Sequence, residues 1–199
     1  MIIVFGVAVV ALSVPLLGGR FSHLVEIRLR RPELIVGALL LQIVVVDLIP
    51  SSLPFVVAAG VHLLTYVLGA AFVWCNRRIP GLWIIGIGGG LNLAAIAANR
   101  GEMPASHWAQ VTSGLDVSPT GFTNSGAVAH PHLAVLGDIF AVPRGWPLAN
   151  VFSIGDIVLL VGAAVLLHRI CHSRIGRRSA PRPVAHAVAG PAASPADPA

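Results

Sequence analysis

The stretch Phe55-Val-Val-Ala-Ala-Gly-Val-His-Leu-Leu-Thr-Tyr-Val-Leu-Gly-Ala-Ala-Phe-Val-Trp74 decides the fold class of this chain. It contains no Asp, Glu, Lys or Arg, and as a helix it is long enough to cross a hydrocarbon core of about 30 Å. Its residues do not alternate between polar and apolar, so a barrel strand is excluded. We therefore predict a membrane-spanning helix at 55–74.

Four further apolar runs flank this one on both sides. The chain is 56% hydrophobic and only 11% charged, whereas soluble domains carry about 25% charged residues. We predict an all-α polytopic membrane bundle of about five transmembrane helices, within an integral membrane domain covering residues 1–172. The other four spans are predicted at about 2–17, 34–49, 82–98 and 151–167.

The positive charges are distributed unequally between the loops. Apart from Arg100 and Arg144, every arginine follows the first, third or fifth run. Excess arginine marks the cytoplasmic side, which places the N-terminus outside and the C-terminus in the cytoplasm. The net charge of +5 therefore indicates topology rather than nucleic-acid binding. The first run has its arginines after it, opposite to a cleaved signal peptide, so we predict a retained helix.

Three segments lie outside the predicted spans. The outer segment 100–150 is the largest, with a flexible loop expected at 113–126 and a short helix or re-entrant piece at 132–141. The basic and then Pro/Ala-rich tail 173–199 is expected to be disordered and cytoplasmic. Residues 21–31 are either an interfacial helix with arginines toward the headgroups or a connecting loop.

Polar residues inside the predicted spans point to a candidate site. An ionisable group costs about 2.5–3.5 kcal/mol at the centre of a membrane helix, so each one calls for an explanation. Most of them fall toward the outer side, and Gln42 at mid-span is the exception. They form either one functional site or interhelical hydrogen bonds. The residues are Asp47, His62, Asn92, Asn99, Asn150 and Asp156.

Asp156 has a structural explanation as well as a functional one. Ser153 precedes it by three residues, which is the spacing of a capping box with an acidic third position. We expect Asp156→Asn to change thermal stability and Asp138→Asn to leave it unchanged.

In the fourth run, Gly86 and Gly90 form a GxxxG pair, typical of close helix packing or self-association.

Histidines and carboxylates of the outer segment are of the types that bind zinc. Their spacing matches no zinc signature, and histidines in outer loops are usually solvated. We therefore expect no metal and no cofactor. The residues considered are Glu102, His107, His130, His132 and Asp138.

Two segments carry a resemblance to a known family. The stretches 92–106 (Asn92-Leu-Ala-Ala-Ile-Ala-Ala-Asn-Arg-Gly-Glu-Met-Pro-Ala-Ser106) and 150–162 (Asn150-Val-Phe-Ser-Ile-Gly-Asp-Ile-Val-Leu-Leu-Val-Gly162) resemble an uncharacterised family of small bacterial integral membrane proteins. That family has a domain-of-unknown-function label and occurs mainly in Gram-positive bacteria. The likeness covers most of the chain up to the basic tail. It implies an integral membrane protein without implying a reaction.

A more local resemblance is to signal peptidase II, the intramembrane aspartyl protease. Phe152-Ser-Ile-Gly-Asp156 is similar to its Phe-Asn-x-Ala-Asp motif, and Asn99-Arg-Gly101 is similar to its Asn-x-Gly motif. The resemblance implies a hydrolase in which Asp138 and Asp156 share a proton to activate water. The chain departs from that family: the Gly-Asn-x-x-Asp-Arg motif has no match, and five spans replace four.

Three functions are compatible with these features. The first is a plasma-membrane protein without enzymatic activity that acts through its outer segment as an interaction or accessory protein. The second is an aspartate-dependent hydrolase using Asp138 and Asp156. The third is a small permease or channel lined by the mid-bundle polar residues. The expected partners are the lipid bilayer and either a second copy or another membrane protein, with no nucleic acid.

Overall fold

The computed structural model describes residues 2–44, 54–114 and 125–176, and these are mainly helical, as predicted. The four short strands were not predicted, because two or three paired residues carry no detectable period. The helices are α1 (Ile2–Leu16), α2 (Pro32–Gln42), α3 (Phe55–Cys75), α4 (Leu82–Ala98), α5 (His107–Ser113) and α6 (Ile154–Ile170). The strands are β1 (Met103–Pro104), β2 (Ser125–Gly126), β3 (Phe140–Val142) and β4 (Asn150–Phe152).

The helix ends are set by nearby proline and capping residues rather than by where the apolar runs begin and end. α2 begins two residues earlier than predicted, with Pro32 in its first turn, where its missing N–H costs nothing. The predicted run 34–49 extends beyond residue 44 and out of the described range. α6 begins at 154 rather than 151, because β4 pairs antiparallel with β3 and Ser153 then caps the helix.

The helices contact one another in the order α2, α3, α4, α6, α1. The closest approach is between α4 and α6, which cross backbone to backbone at glycines. A Cβ on Gly88 would lie 2.7 Å from the Leu159 nitrogen, and one on Gly162 would lie 2.6 Å from the Ile85 nitrogen. Gly86 instead faces Val73 of α3. Nothing described lies within 4 Å of a Cβ on Gly90, so the GxxxG pair does not form a helix crossing within the chain.

The outer segment folds against one end of this bundle. β1 and β2 form a parallel pair, and α5 packs near β3 and β4. The helix expected over 132–141 is wrong: the chain forms only a 3-10 turn at Ala134–Leu136 and then strand β3. Gly137 ends the turn in an extended conformation and lies against the Pro104 carbonyl, where a side chain would not fit.

At the other end, the loop after α1 and the residues after α6 are joined by hydrogen bonds. The Arg20 N–H donates to the Cys171 carbonyl, and the Arg174 N–H donates to the Leu17 carbonyl, both at 2.9 Å. The buried His168 ring lies between the Ser13 and Ser173 hydroxyls, at 3.1 and 2.8 Å. These contacts hold α1 against α6.

One described helix, α3, is long and apolar enough to cross a membrane, with a mean hydropathy of 2.0 over its best window. α1, α2 and α4 are apolar but shorter. Residues 21–31 adopt a 3-10 turn at Phe21–Leu24 followed by irregular chain. Of the two alternatives for this segment, the structure therefore has the connecting loop.

Candidate functional site

The N-terminus of α6 carries the capping box expected from the sequence. The Asp156 N–H donates to the Ser153 hydroxyl, and the Ser153 N–H donates to Asp156 Oδ2, both at 3.0 Å. Each bond satisfies a backbone donor that the first turn of a helix leaves without a partner. The predicted structural role of Asp156 is confirmed.

Asn92 of α4 extends this box into a link between two helices. Its Nδ2 donates to Asp156 Oδ1 at 2.8 Å, and its Oδ1 accepts from the Ser153 hydroxyl at 2.9 Å. Both carboxylate oxygens of Asp156 therefore accept a hydrogen bond. Gly155 makes room for this arrangement, since a Cβ there would overlap the Asn92 amide. We call Asn92, Ser153 and Asp156 the α4–α6 polar group.

Asp138 lies in the outer segment, and it is buried rather than solvated, with 6% of its surface exposed. The Ser125 hydroxyl donates to its Oδ2 at 2.6 Å, and its own N–H donates to the Pro104 carbonyl at 2.9 Å. Burial raises the pKa of Asp138 to about 6; the Ser125 hydrogen bond opposes that shift, and the charge of Asp156 adds to it. The two aspartates are thus within electrostatic reach of each other.

His62 belongs to a second polar group, between α2 and α3. Its ring is 1% exposed, with Nδ1 2.9 Å from Gln42 Oε1. The Thr65 hydroxyl lies 3.2 Å from the same Gln42 oxygen. Gln42, which looked like an exception in the sequence, is the hydrogen-bond partner of His62 Nδ1. The sequence suggested one convergent site; in the structure the direct hydrogen-bond partner of His62 is Gln42, whereas Asn92 and Asp156 bond each other.

Asn99 forms a third polar contact, between the end of α4 and the outer segment. Its Nδ2 donates to the carbonyls of Ala95 and His132 at 2.7 and 2.8 Å, and its Oδ1 accepts from the His132 N–H at 2.9 Å. Asn150 lies in β4 opposite Val142. Asp47 falls outside the described residues.

A cleft of about 480 Å³ opens beside Asn99 at the same end of the bundle. It contains two of the histidines considered for zinc, and burial raises the pKa of Glu102 in its wall. Within the described ranges, no three His, Cys, Asp or Glu residues lie close enough to hold a metal ion. Its polar lining includes Arg100, Glu102, His130 and His132.

Some partners of the candidate residues were missed in the sequence. Ser125 bonds Asp138 across 13 positions of an irregular loop, and no short-range pattern marks such a contact. Ser13 and His168 are 155 positions apart. The available signal was a lone polar residue within an apolar run, which shows that a partner is needed but not which one.

Comparison with known proteins places the chain in a family. The model of a family of unknown function, DUF5317, matches residues 26–168. The chain belongs to this family. Asn92, Asp138 and Asp156 lie within the matched region, whereas the basic tail 173–199 lies beyond it.

One relative of this DUF5317 chain is an uncharacterized protein of Thermotoga maritima. The two are 30% identical over 94 residues, which make up 47% of this chain and 54% of the relative. The chain thus matches about half the length of that relative. No solved structure matches the chain. Nothing in these comparisons links it to signal peptidase II, so the chemistry of the site is argued from its residues.

Asp138 should make stability depend on pH. Its folded pKa of about 6 lies above the ordinary value of 3.8, so the folded state binds the proton more tightly. The resulting stabilisation is complete below about pH 4 and is lost as the pH rises through 6. About two pKa units correspond to about 3 kcal/mol at most. This expectation replaces the sequence-based one that Asp138→Asn leaves stability unchanged.

The measurement is thermal unfolding in detergent at pH 5 and pH 7.5. Asp138→Asn should flatten the difference between the two pH values and melt higher than wild type at pH 7.5. Glu33→Gln, at an exposed carboxylate of the opposite end, should retain the wild-type pH dependence. An equal offset of Asp138→Asn from wild type at both pH values would contradict the assignment.

Proposed function

We propose that this DUF5317 protein is a five-span integral protein of the bacterial plasma membrane, with spans built on α1, α2, α3, α4 and α6. The N-terminus lies outside and the C-terminus in the cytoplasm. The protein acts as an interaction or accessory protein through its outer segment, residues 100–150. The observation that carries the proposal is an inverted distribution of polarity between the surface and the interior of the helices.

The outward surfaces of the helices are apolar. Leu12 and Leu16 of α1 are 68% and 82% exposed, and Val56 of α3 is 79% exposed. In water, each square ångström of exposed apolar surface costs about 25 cal/mol, and soluble monomers rarely expose apolar patches beyond a few hundred Å². The interior holds His62 and Ser153, which are fully buried. Lipid around the helices explains both facts.

The ends of the helices support the orientation. Hydrogen bonds join residues 17–20 to 171–174 and Asn76 to Arg30, so the arginine-rich loops meet at one end of the bundle. α1 and α6 have 15 and 17 residues, or about 23 and 26 Å at 1.5 Å per residue. Bilayer thinning and flanking arginines accommodate helices of this length.

The outer segment has exposed apolar side chains on a backbone that buried hydrogen bonds hold in place. Asn99 and the buried Asp138 hold its backbone, while Trp108 and Trp146 are 61% and 70% exposed. Tryptophan is enriched among the residues that dominate binding energy at protein interfaces. We infer a partner that is a second copy or another membrane protein, docked on the outer segment through these two residues.

A membrane-impermeant crosslinker with a maleimide at one end and a photoreactive diazirine at the other, added to intact cells and then irradiated, tests location and interaction together. In a background with Cys75 and Cys171 replaced by alanine, Val135→Cys should react and yield a discrete heavier adduct. Ser22→Cys should react only after permeabilisation. Trp108→Ser with Trp146→Ser should remove the adduct, while Trp74→Ser, equally exposed at the opposite end, should retain it.

The possible outcomes separate the parts of the proposal. Reaction of Ser22→Cys in intact cells would overturn the orientation. Reaction of Val135→Cys without any adduct would leave the orientation standing and exclude the interaction.

The second candidate is the aspartate-dependent hydrolase. It is favoured by the effect of the Asp156 charge on Asp138, as in a carboxyl pair sharing a proton. It ranks second because both Asp156 oxygens already accept hydrogen bonds, Oδ2 from the Ser153 N–H and Oδ1 from Asn92. Asp138→Asn discriminates the two: a hydrolase loses turnover, whereas an interaction protein retains its adduct.

A further inference from the structure

We propose that residues 20–31 and 76–78, which we call the arginine surface, bind the headgroups of anionic phospholipids in the membrane that holds the protein. This inference rests on the membrane location proposed above. It assigns a selective lipid site to the end of the bundle opposite the outer segment.

Asn76 builds this surface from two separate loops. Its Oδ1 accepts from the Arg30 N–H at 2.8 Å, and its Nδ2 donates to the Arg30 carbonyl at 2.7 Å. The same Nδ2 donates to the Phe72 carbonyl at the end of α3. Asn76 is buried, and its bonds are to the Arg30 backbone. The backbone of Arg30 is therefore held beside that of Arg77, whichever conformations the two arginine side chains adopt.

The surface carries positive charge that is not neutralised by nearby carboxylates. Arg31 lies 3.4 Å from Glu33, and Glu26 lies 3.4 Å from His23. No carboxylate pairs with the remaining arginines of the surface in the part of the chain that is described. These are Arg20, Arg28, Arg30, Arg77 and Arg78, all exposed. Guanidinium groups in such a cluster suit phosphate, which they bind through two parallel hydrogen bonds.

Apolar side chains stand among these arginines and identify the source of the phosphate. Val25 is 89% exposed, and Phe21 and Leu29 are 43% and 47% exposed. Trp74 is 70% exposed, with the Arg77 guanidinium 4.9 Å from its ring centroid. Aliphatic groups gain nothing from a free phosphate or a nucleic-acid backbone, but they gain stability by entering the boundary of the acyl chains. A phospholipid offers both chemistries at one depth.

The opposite end of the bundle lacks this charge pattern. Its described arginines are Arg100 and Arg144, and they share that end with Glu102, Asp138 and Asp156. A bilayer with anionic lipid should therefore contact one end selectively, because each arginine near an anionic surface strengthens binding by roughly fivefold.

The test uses the full-length protein in an uncharged detergent, titrated with phosphatidylglycerol or phosphatidylcholine. Melting temperature and the number of lipids retained in native mass spectrometry are measured. Phosphatidylglycerol should raise the melting temperature, and phosphatidylcholine should not. Arg77→Gln with Arg78→Gln, and separately Arg28→Gln with Arg30→Gln, should weaken the apparent affinity roughly tenfold or more. The matched control, Arg100→Gln with Arg144→Gln, should leave it unchanged.

Three results would overturn the lipid site. One is equal retention of phosphatidylglycerol by all variants, and another is the same stabilisation by inorganic phosphate alone. The third is arginine-dependent binding of single-stranded RNA that displaces the lipid. Failure of the membrane location is a separate result, seen as loss of the protein from washed cell membranes whatever the lipid titration shows.

Discussion

Gly88→Ala should destabilise the protein strongly, whereas Gly89→Ala, one residue further along the same helix, should not. A Cβ on Gly88 would lie 2.7 Å from both the Gly155 oxygen and the Leu159 nitrogen, which are backbone atoms of α6. Two helices would have to separate, at a cost of about 1–3 kcal/mol for overpacking alone. Nothing lies within 4 Å of a Cβ on Gly89, where alanine gains up to about 1 kcal/mol of helix propensity.

The measurement is thermal or denaturant unfolding of the two variants in one detergent, beside wild type. Gly162→Ala serves as a second probe of the same crossing from the α6 side, since its Cβ would lie 2.6 Å from the Ile85 nitrogen. It should follow Gly88→Ala in sign. Equal stability of the Gly88 and Gly89 variants would show that α4 and α6 do not cross at these glycines.

Asn92→Leu should lower the free energy of unfolding by about 3 kcal/mol. Leucine has a similar size but leaves the Ser153 hydroxyl and Asp156 Oδ1 without their partner on α4. A buried polar group without a partner costs about 1–3 kcal/mol, and more when it is charged. Asn150→Leu is the matched control. Asn150 lies on the edge of the β3–β4 pair, and the described residues give its side chain no hydrogen bond, so we expect a change within about 0.5 kcal/mol.

A double-mutant cycle shows whether this cost arises within the α4–α6 polar group. Asp156→Leu alone should also destabilise, because it removes the acceptor of the Ser153 N–H. In the double variant, Asn92→Leu with Asp156→Leu, the loss of free energy of unfolding should be smaller than the sum of the two single losses. Removing both members of a pair leaves fewer polar groups unsatisfied. Strict additivity would mean that Asn92 and Asp156 do not interact.

Much of the helical framework was predictable because it depends on local composition. The apolar run at 55–74 and the run rich in glycine and alanine at 82–98 form α3 and α4, and the helix ends lie within one residue of the predicted ends. The start of α6 was displaced to 154 by a strand pairing that no local pattern announces. The same limitation explains the missing helix at 132–141, where a 3-10 turn gives way to β3.

The candidate site was predictable as a set of residues but not as a set of contacts. The capping box of Ser153 and Asp156 was accessible because its members are three positions apart. The partner of Asp156 on α4 is 64 positions away, and the partner of His62 on α2 is 20 away. A polar residue in an apolar run shows that a hydrogen bond is required, while the packing of helices selects the partner.

Sequence alone was enough to predict most of the apolar helices and to show between which of them the arginines cluster, because both depend on neighbouring residues. Only the tertiary structure decided that Asp138 is buried, that Asn76 joins two arginine loops, and that Gly88 rather than Gly90 forms a crossing. Each of these depends on residues that are distant in the chain. In a closely packed interior, a difference of a few tenths of an ångström in the distance between two helices decides which side chains fit between them.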